Sequence, residues 1–235
     1  MSSPTVPHPT LSSYGEPSAM GLLLSGGLDS AILLHQLLSH DWRVRPFYVR
    51  TGCLWQEEER HATSQLLAAL RHPKLDALVE FNMPVDDLYV EHWSMTGEAV
   101  PDDHSTDDAV FLPGRNPLLL LKPMLWCALH DVSKLALATL AANPFDDAQP
   151  DFFDRFEAMI EQAIGCDVRI VRPFEMLSKQ CVMQLGRDVP LELTFSCLAP
   201  VGGQHCGRCN KCAERAAAFG HLSGGDPTRY AKDVA

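Results

Sequence analysis

The sequence predicts an α/β fold: a doubly wound, mostly parallel sheet with a small zinc-binding region near the carboxyl terminus. Three observations support this prediction. Short apolar runs alternate with helical patterns along the 235 residues, as in parallel sheets whose strands are joined by crossover helices. A glycine turn at residues 25–30 (SGGLDS) joins the first apolar run to the first helix, and four cysteines cluster within residues 197–212.

The predicted elements follow one another in a regular order. Residues 20–24 are short and apolar, as a buried parallel strand should be, and residues 31–38 have the aliphatic pattern of a helix. Periodicity and turn signals predict the remaining elements, which are strands over 44–49, 77–81, 135–140 and 169–171, and helices over 57–70, 117–129, 151–164 and from about Ser178 to Leu185.

Length and composition limit the class of protein. The chain suits one main domain, and its hydrophobic fraction of 46% can fill a sizeable core. We expect a flexible leader over 1–18, an α/β domain over 19–190, a four-cysteine region over 191–220 and a tail over 221–235. The net charge of −11 and the lack of a basic run argue against a nucleic-acid partner. The sequence shows no signal peptide and no membrane span, so we expect a cytoplasmic location.

The glycine turn is the strongest candidate for a binding site. Gly26 and Gly27 can adopt backbone angles closed to other residues, which would let main-chain N–H groups approach an anion. The first turn of the following helix adds unpaired N–H donors and the positive end of its dipole. Asp29 could supply an oxygen ligand to a magnesium ion on the phosphates. The alternative is a glycine turn that serves only the fold.

Three further residues are predicted to lie near this turn. Arg115 and Asn116 precede a predicted helix, where they could meet an anion or the edge of a base; alternatively, Arg115 bridges carboxylates and Asn116 caps the helix. Lys179 begins another helix and could neutralise phosphate charge, although surface lysines are common. The polar segment 84–110 is long enough to be a lid or binding segment, or a disordered surface insertion.

Cys197, Cys206, Cys209 and Cys212 have the spacing of a metal site. Four thiolates saturate tetrahedral zinc and leave no position for an activated water, so a structural Zn²⁺, one per chain, is predicted. A thioredoxin-like redox centre and an iron–sulfur cluster are the alternatives. In a cytoplasmic protein, disulfides are not expected.

Residues 25–30, after an apolar strand, resemble the SGGxDS pyrophosphate loop of the N-type ATP pyrophosphatases, the PP-loop superfamily. Residues 111–116 (FLPGRN), 177–179 (LSK) and 190–197 (PLELTFSC) and the three later cysteines extend the resemblance over about 19–220. In order and spacing these motifs are similar to those of the 7-cyano-7-deazaguanine synthase family.

That resemblance implies an adenine nucleotide alpha hydrolase-like, Rossmann-like fold and an ATP-dependent C–N ligase. Members convert 7-carboxy-7-deazaguanine and ammonia to 7-cyano-7-deazaguanine, on the route to queuosine, as homodimers with one zinc. The carried-over roles are catalytic for Asp29, Arg115 and Lys179, with Mg²⁺ near Asp29. ATP would be bound by Asn116 and by the loop residues, which are Leu24, Ser25, Gly26, Gly27, Leu28, Asp29 and Ser30.

Two segments depart from the family pattern. Tyr48 is followed by VRTGCLW where the family has a segment like YGQRH, and residues 143–152 (NPFDDAQPDF) replace a segment like SGYPDCR. Adenylation is therefore predicted more firmly than the deazaguanine substrate. A paralogue that adenylates and amidates a different carboxylate and a catalytically silent nucleotide-binding zinc module are the alternatives. A tRNA-thiolating enzyme fits the acidic charge and the closed cysteine set less well.

Overall fold

Five parallel strands form the centre of the structure, a computed structural model that describes residues 11–231. Their order across the sheet is β3-β2-β1-β4-β5, and every pairing in it is parallel. The strands are β1 (Ala19–Leu23), β2 (Arg43–Arg50), β3 (Val79–Asn82), β4 (Lys134–Ala136) and β5 (Arg169–Val171). The parallel α/β fold predicted from the sequence is confirmed.

Seven α-helices connect and cover the strands within the described residues. They are α1 (Leu28–Ser39), α2 (Gln56–Ala69), α3 (Trp93–Thr96), α4 (Arg115–Leu129), α5 (Pro150–Ile164), α6 (Lys179–Leu185) and α7 (Asn210–Phe219). Helices α1, α6 and α7 contribute to the core on one face of the sheet, and α4 and α5 to the core on the other. On β2, for example, Val44 packs into the first core and Phe47 into the second.

The strand order creates the crevice in which a ligand would bind. The chain moves outward from β1 through β2 to β3, and then returns to the other side of β1 with β4. The loops at the carboxyl ends of β1 and β4 therefore diverge, and such a switch point is where open α/β sheets bind their ligands. Both the glycine turn after β1 and the segment after β4 lie at this edge.

Most predicted boundaries agree with the structure to within three residues, and β4 is the main exception. The strand was predicted over 135–140 but ends at Ala136. Its partner β5 has only three residues, so the pairing between the two strands ends there and the chain continues as the loop 137–140. The segment 84–110 is not featureless, because it contains α3 and a 3₁₀ turn at Asp107–Val110.

The two ends of the described chain pack onto the domain. Leu11 is buried in the same core as α1, although it belongs to the predicted leader. Tyr230, in the predicted tail, bridges to His205 of the cysteine region. The rest of the leader and tail, residues 1–10 and 232–235, lie outside the described residues. Within residues 11–231, no helix combines the length and apolar character that crossing a membrane requires.

Candidate active site

A cavity of about 670 Å³ opens at the carboxyl ends of β1, β2 and β4. Its volume is in the range of small-molecule sites, roughly 300–1,000 Å³. The glycine turn lies at this cavity together with Lys179, Arg115 and Asn116, so the structure brings the predicted residues to one place. Thr139 and Ser196 also line the cavity, and their hydroxyl oxygens are buried without a hydrogen-bond partner among the described residues. Buried polar groups of this kind require a partner such as water or a ligand.

The glycine turn has the backbone of an anion-binding loop. Gly26 has a φ of +76°, and a Cβ placed on it would lie 2.8 Å from Glu59 O and from Thr63 Oγ1. Gly27 is different: its φ of −79° is open to any residue, so only Gly26 of the two uses an angle that is closed to other residues. Gly27 is instead the N-cap of α1. The first N–H groups of a helix have no acceptor within it and can meet an anion.

Hydroxyl groups stabilise this turn from within. Ser30 Oγ donates a hydrogen bond to Gly27 O at 3.2 Å and lies 3.2 Å from Ser25 Oγ. The N–H of Gly27 points to Ser25 Oγ at 3.4 Å. These short-range contacts hold the turn in one conformation before any ligand arrives.

Four charged side chains form a cluster beside the turn. Lys179 Nζ lies 2.7 and 2.9 Å from the two carboxylate oxygens of Asp29 and 3.2 Å from Glu214 Oε1. Glu214 Oε2 in turn accepts a hydrogen bond from Lys211 Nζ. Burial alone would lower the pKa of Lys179, but Asp29 and Glu214 outweigh it and raise that pKa. Lys179 is therefore a charged ammonium at the start of α6, where Ser178 caps the helix.

Asp29 lies in the first turn of α1, and its carboxylate faces the cavity. Burial raises its pKa, and the neighbouring Lys179 opposes that rise. A hard divalent cation prefers carboxylate and phosphate oxygens as ligands, and Asp29 has this chemistry, as does Glu214 in the same cluster. The structure places Asp29 and Lys179 side by side.

Arg115 and Asn116 are the first residues of α4, which begins two residues earlier than predicted, and they contribute differently. Arg115 lines the cavity and is largely exposed. Asn116 donates hydrogen bonds to Asp147, from its main-chain N–H to Oδ2 at 3.0 Å and from Nδ2 to the main-chain oxygen at 2.8 Å. Asn116 therefore fixes the segment after β4, and the side chains of Phe145 and Asp147 lie at the cavity.

Glu59 is a cavity residue that the sequence analysis did not single out. Burial raises its pKa to about 7, against the opposing effects of Arg115 and of a hydrogen bond from Tyr48. The Tyr48 hydroxyl donates that bond to Glu59 Oε2 at 3.1 Å. In sequence, Glu59 is one of three adjacent glutamates in the first turn of α2, and such residues are usually explained by the helix dipole.

Aromatic rings form another wall of the cavity. Trp55 stacks on Trp93 with ring centroids 5.6 Å apart, and Phe111 contacts Phe145 at 5.1 Å. All four side chains line the cavity. Trp93 belongs to the segment 84–110, so part of this segment is a wall of the site. Flat aromatic surfaces of this kind suit a planar heterocycle.

Cys197, Cys206, Cys209 and Cys212 form a compact buried group. Their sulfur atoms all lie within 4.8 Å of one another, with 3.9 Å between Cys197 and Cys209 and between Cys206 and Cys212. Tetrahedral zinc with Zn–S bonds of about 2.3 Å requires sulfur separations of about 3.8 Å. The group can therefore hold a metal ion, and four ligands leave no position for an activated water.

Main-chain groups support these thiols. The N–H of Leu198 points to Cys209 Sγ at 3.4 Å, and that of Cys206 points to Cys197 Sγ at 3.2 Å. Such bonds stabilise the negative charge of bound thiolates. The centre also packs against the segment 84–110, since Asn210 Nδ2 donates to Ser105 O at 3.0 Å.

Comparison with known proteins agrees with this geometry. The family model described as queuosine biosynthesis protein QueC matches residues 20–223. A 7-cyano-7-deazaguanine synthase of Xylella fastidiosa (strain M12) is 31% identical over 226 residues, covering 89% of this chain and 94% of that protein. The protein of the same name from Xanthomonas oryzae pv. oryzae (strain PXO99A) is 31% identical over 227 residues, covering 89% and 96%.

Solved structures are more distant. NMN synthetase from Francisella tularensis overlays with a TM-score of 0.45 at 17% identity, covering 83% of this chain and 70% of that one. The residues matched by the family model include the glycine turn, the charged cluster and all four cysteines. The chain belongs to the QueC family of queuosine biosynthesis proteins.

Proposed function

We propose that this protein is an ATP-dependent 7-cyano-7-deazaguanine synthase. The carboxylate of 7-carboxy-7-deazaguanine attacks the α phosphorus of ATP, and pyrophosphate leaves. Ammonia displaces AMP from the acyl adenylate and gives the amide. The amide oxygen is adenylated by a second ATP, and loss of AMP leaves the nitrile. One carboxylic acid, one ammonia and two ATP thus give one nitrile, two AMP and two pyrophosphates.

One observation carries this proposal: the glycine turn, the Asp29–Lys179 pair and the aromatic wall all face a single cavity. The turn offers N–H groups to the phosphates, and Lys179 and Arg115 offset the charge of the leaving pyrophosphate. Mg²⁺, bound at Asp29, would supply further charge neutralisation. Catalysis in this scheme is mostly positioning and electrostatics, and no protein nucleophile is required.

The cavity also has features that suit a deazaguanine. A planar bicyclic ring can lie against Trp55 or Phe145, and a guanine-like edge presents N–H donors that a carboxylate accepts. Asp147 lines the cavity beside Phe145 and is held in place by Asn116. We propose that residues 143–147 grip the base here, in place of the family segment that this chain lacks.

We further propose that the four cysteines hold one structural Zn²⁺ per chain, because their sulfur spacing fits tetrahedral zinc. When bound, the ion would have a structural role and would join the loop 197–206 to α7. The closed ligand set gives no site at which a substrate could reach the ion.

Pyrophosphate release provides the decisive experiment. With ATP and Mg²⁺, sustained pyrophosphate release is expected only when 7-carboxy-7-deazaguanine and ammonium are both supplied, because without ammonium the reaction stops at the acyl adenylate after one pyrophosphate. The nitrile is identified by mass spectrometry. Lys179→Ala is expected to lose about 100-fold or more in rate, as when other charge-stabilising groups are removed from active sites. Lys74→Ala is the matched control, because Lys74 pairs with Asp41 on the surface and does not line the cavity.

Two results would contradict this proposal. Pyrophosphate release with another carboxylate, and not with the deazaguanine, would favour a paralogue that amidates a different substrate. ATP binding without turnover over a broad panel of carboxylates would favour a silent nucleotide-binding module.

A further inference from the structure

Two charged side chains of α7 enter the site from the cysteine region. Lys211 and Glu214 both line the cavity that contains the glycine turn. Glu214 makes two ion pairs, to Lys211 through Oε2 and to Lys179 through Oε1 at 3.2 Å. Both side chains are partly exposed toward the cavity, at 32% for Lys211 and 39% for Glu214. The proposed reaction as described above assigns them no role.

The cysteine centre determines where these two side chains lie. Cys209 is the N-cap of α7 and Cys212 lies in its first turn, so Lys211 stands between two residues of the metal-binding group. The N–H of Asn210 also donates to Pro101 O at 2.9 Å. Further along α7, the buried Arg215 donates a hydrogen bond to Leu191 O at 3.0 Å. The helix that carries Lys211 and Glu214 is thus anchored at several points beside the glycine turn.

The two ammonium groups of this cluster are the groups that can meet an incoming anion. Glu214 lies between Lys179 and Lys211, and Asp29 pairs with Lys179, so the four side chains carry no net charge. An anion would therefore be held by the placement of the two ammonium groups and not by an excess of positive charge. Lysine side chains lose considerable rotamer freedom when they bind a ligand. Because Glu214 already restrains both ammonium groups, the two lysine side chains lose less conformational entropy when phosphate binds.

We propose that Lys211 is a second pyrophosphate-binding lysine and that Glu214 is a positioning residue that orients Lys179 and Lys211 toward the phosphates. The proposal rests on the proposed function, in which ATP supplies the pyrophosphate. Lys211 would contact the leaving group, whereas Glu214 would act only through the two lysines.

The test measures binding of inorganic pyrophosphate and of ATP to the full, metal-loaded chain by titration calorimetry, without any second substrate. Lys211→Met keeps most of the length of the unbranched side chain and removes its charge. It is expected to weaken pyrophosphate binding about 10-fold to 100-fold, as for the loss of a charge-assisted hydrogen bond. Arg208→Met is the matched control, because Arg208 lies in the same cysteine region but does not line the cavity.

Glu214→Gln tests whether Glu214 orients the two lysines or affects anion binding only through its negative charge. Removing a negative charge near an anion site should tighten anion binding if charge alone matters. If Glu214 orients the lysines, Glu214→Gln weakens pyrophosphate binding instead, and this loss becomes smaller in a Lys211→Met background. Metal content and thermal unfolding are measured for each variant, and Lys211→Gln replaces Lys211→Met should the latter lose metal.

Unchanged binding in Lys211→Met, or an equal loss in Arg208→Met, would overturn the role of Lys211. Tighter binding in Glu214→Gln would overturn the role of Glu214. If Lys179→Met loses pyrophosphate binding while Lys211→Met does not, the proposed function stands and this inference fails. If the unaltered protein binds neither ATP nor pyrophosphate, both fail together.

Discussion

Replacing Gly26 by alanine should damage both the stability of the domain and its binding of ATP. Gly26 has a φ of +76°, in the left-handed region, and its missing Cβ faces the main-chain oxygen of Glu59 and Thr63 Oγ1, both at 2.8 Å. A carbonyl oxygen of α2 cannot rotate away as a flexible side chain could. Alanine at this position therefore meets backbone strain and a steric clash together.

The two costs can be worked out separately. A left-handed conformation costs a residue other than glycine about 1–2 kcal/mol. Overpacking in a closely packed region costs about 1–3 kcal/mol. Their sum is about 2–5 kcal/mol, a large part of the roughly 5–15 kcal/mol that stabilises a typical domain. Any relaxation would shift the turn away from α2 and spoil its array of N–H donors.

Urea unfolding and calorimetric titration with ATP would measure both effects. Gly165→Ala is the control for strain alone, because Gly165 has a φ of +67° and open space around its Cβ position. Gly27→Ala is the control for the loop, because its Cβ would make only ordinary contacts, at 3.4 Å or more. Gly26→Ala should be less stable than Gly165→Ala by about 1–3 kcal/mol, the overpacking contribution. Equal stability of these two variants would refute the reasoning.

Three other perturbations test the metal centre, a buried cation and a buried acid. Chelation, or Cys212→Ser, should unfold the cysteine region, because structural zinc contributes about 10–16 kcal/mol. Circular dichroism and metal analysis measure the loss of structure and of metal. The control Cys181→Ser should change neither the circular dichroism nor the metal content. Arg215→Ala should lower the unfolding free energy by about 3 kcal/mol or more in urea, since it removes two buried hydrogen bonds from a charged donor, to Thr194 Oγ1 and Leu191 O, worth about 1.5–3 kcal/mol each. A loss below about 1.5 kcal/mol, the low end of that range for a single bond, contradicts this. Burial raises the pKa of Glu59 from 4.5 to about 7, so the folded chain keeps a proton that the unfolded chain loses, and stability should fall as the pH rises between these values. Glu59→Gln should flatten the unfolding free energy in this pH window, and an unchanged slope would count against the assignment.

The sequence alone was enough to predict the parallel α/β fold, the glycine turn and the cysteine cluster. These features are local: an apolar run such as residues 20–24 is recognised by composition, and residues 25–30 and 197–212 by spacing within a few turns of chain. The helix starts near Arg115 and Lys179 were recognised, to within two residues, for the same reason. Physical preferences that act between near neighbours are visible in a sequence, because neighbours in the chain remain neighbours in the fold.

Only the tertiary structure decided which distant residues share the cavity. Glu59 and Glu214 looked like ordinary surface charges in their own helices, and Lys211 was marked only by its place between two cysteines, not as a residue of the cavity. Lys179 reaches Asp29 across 150 positions of the chain, and Asn116 anchors Asp147 in the same long-range way. The difference between Gly26 and Gly27 likewise depends on where α2 packs against the turn. Contacts of this kind arise from the packing of whole elements, which no local pattern encodes.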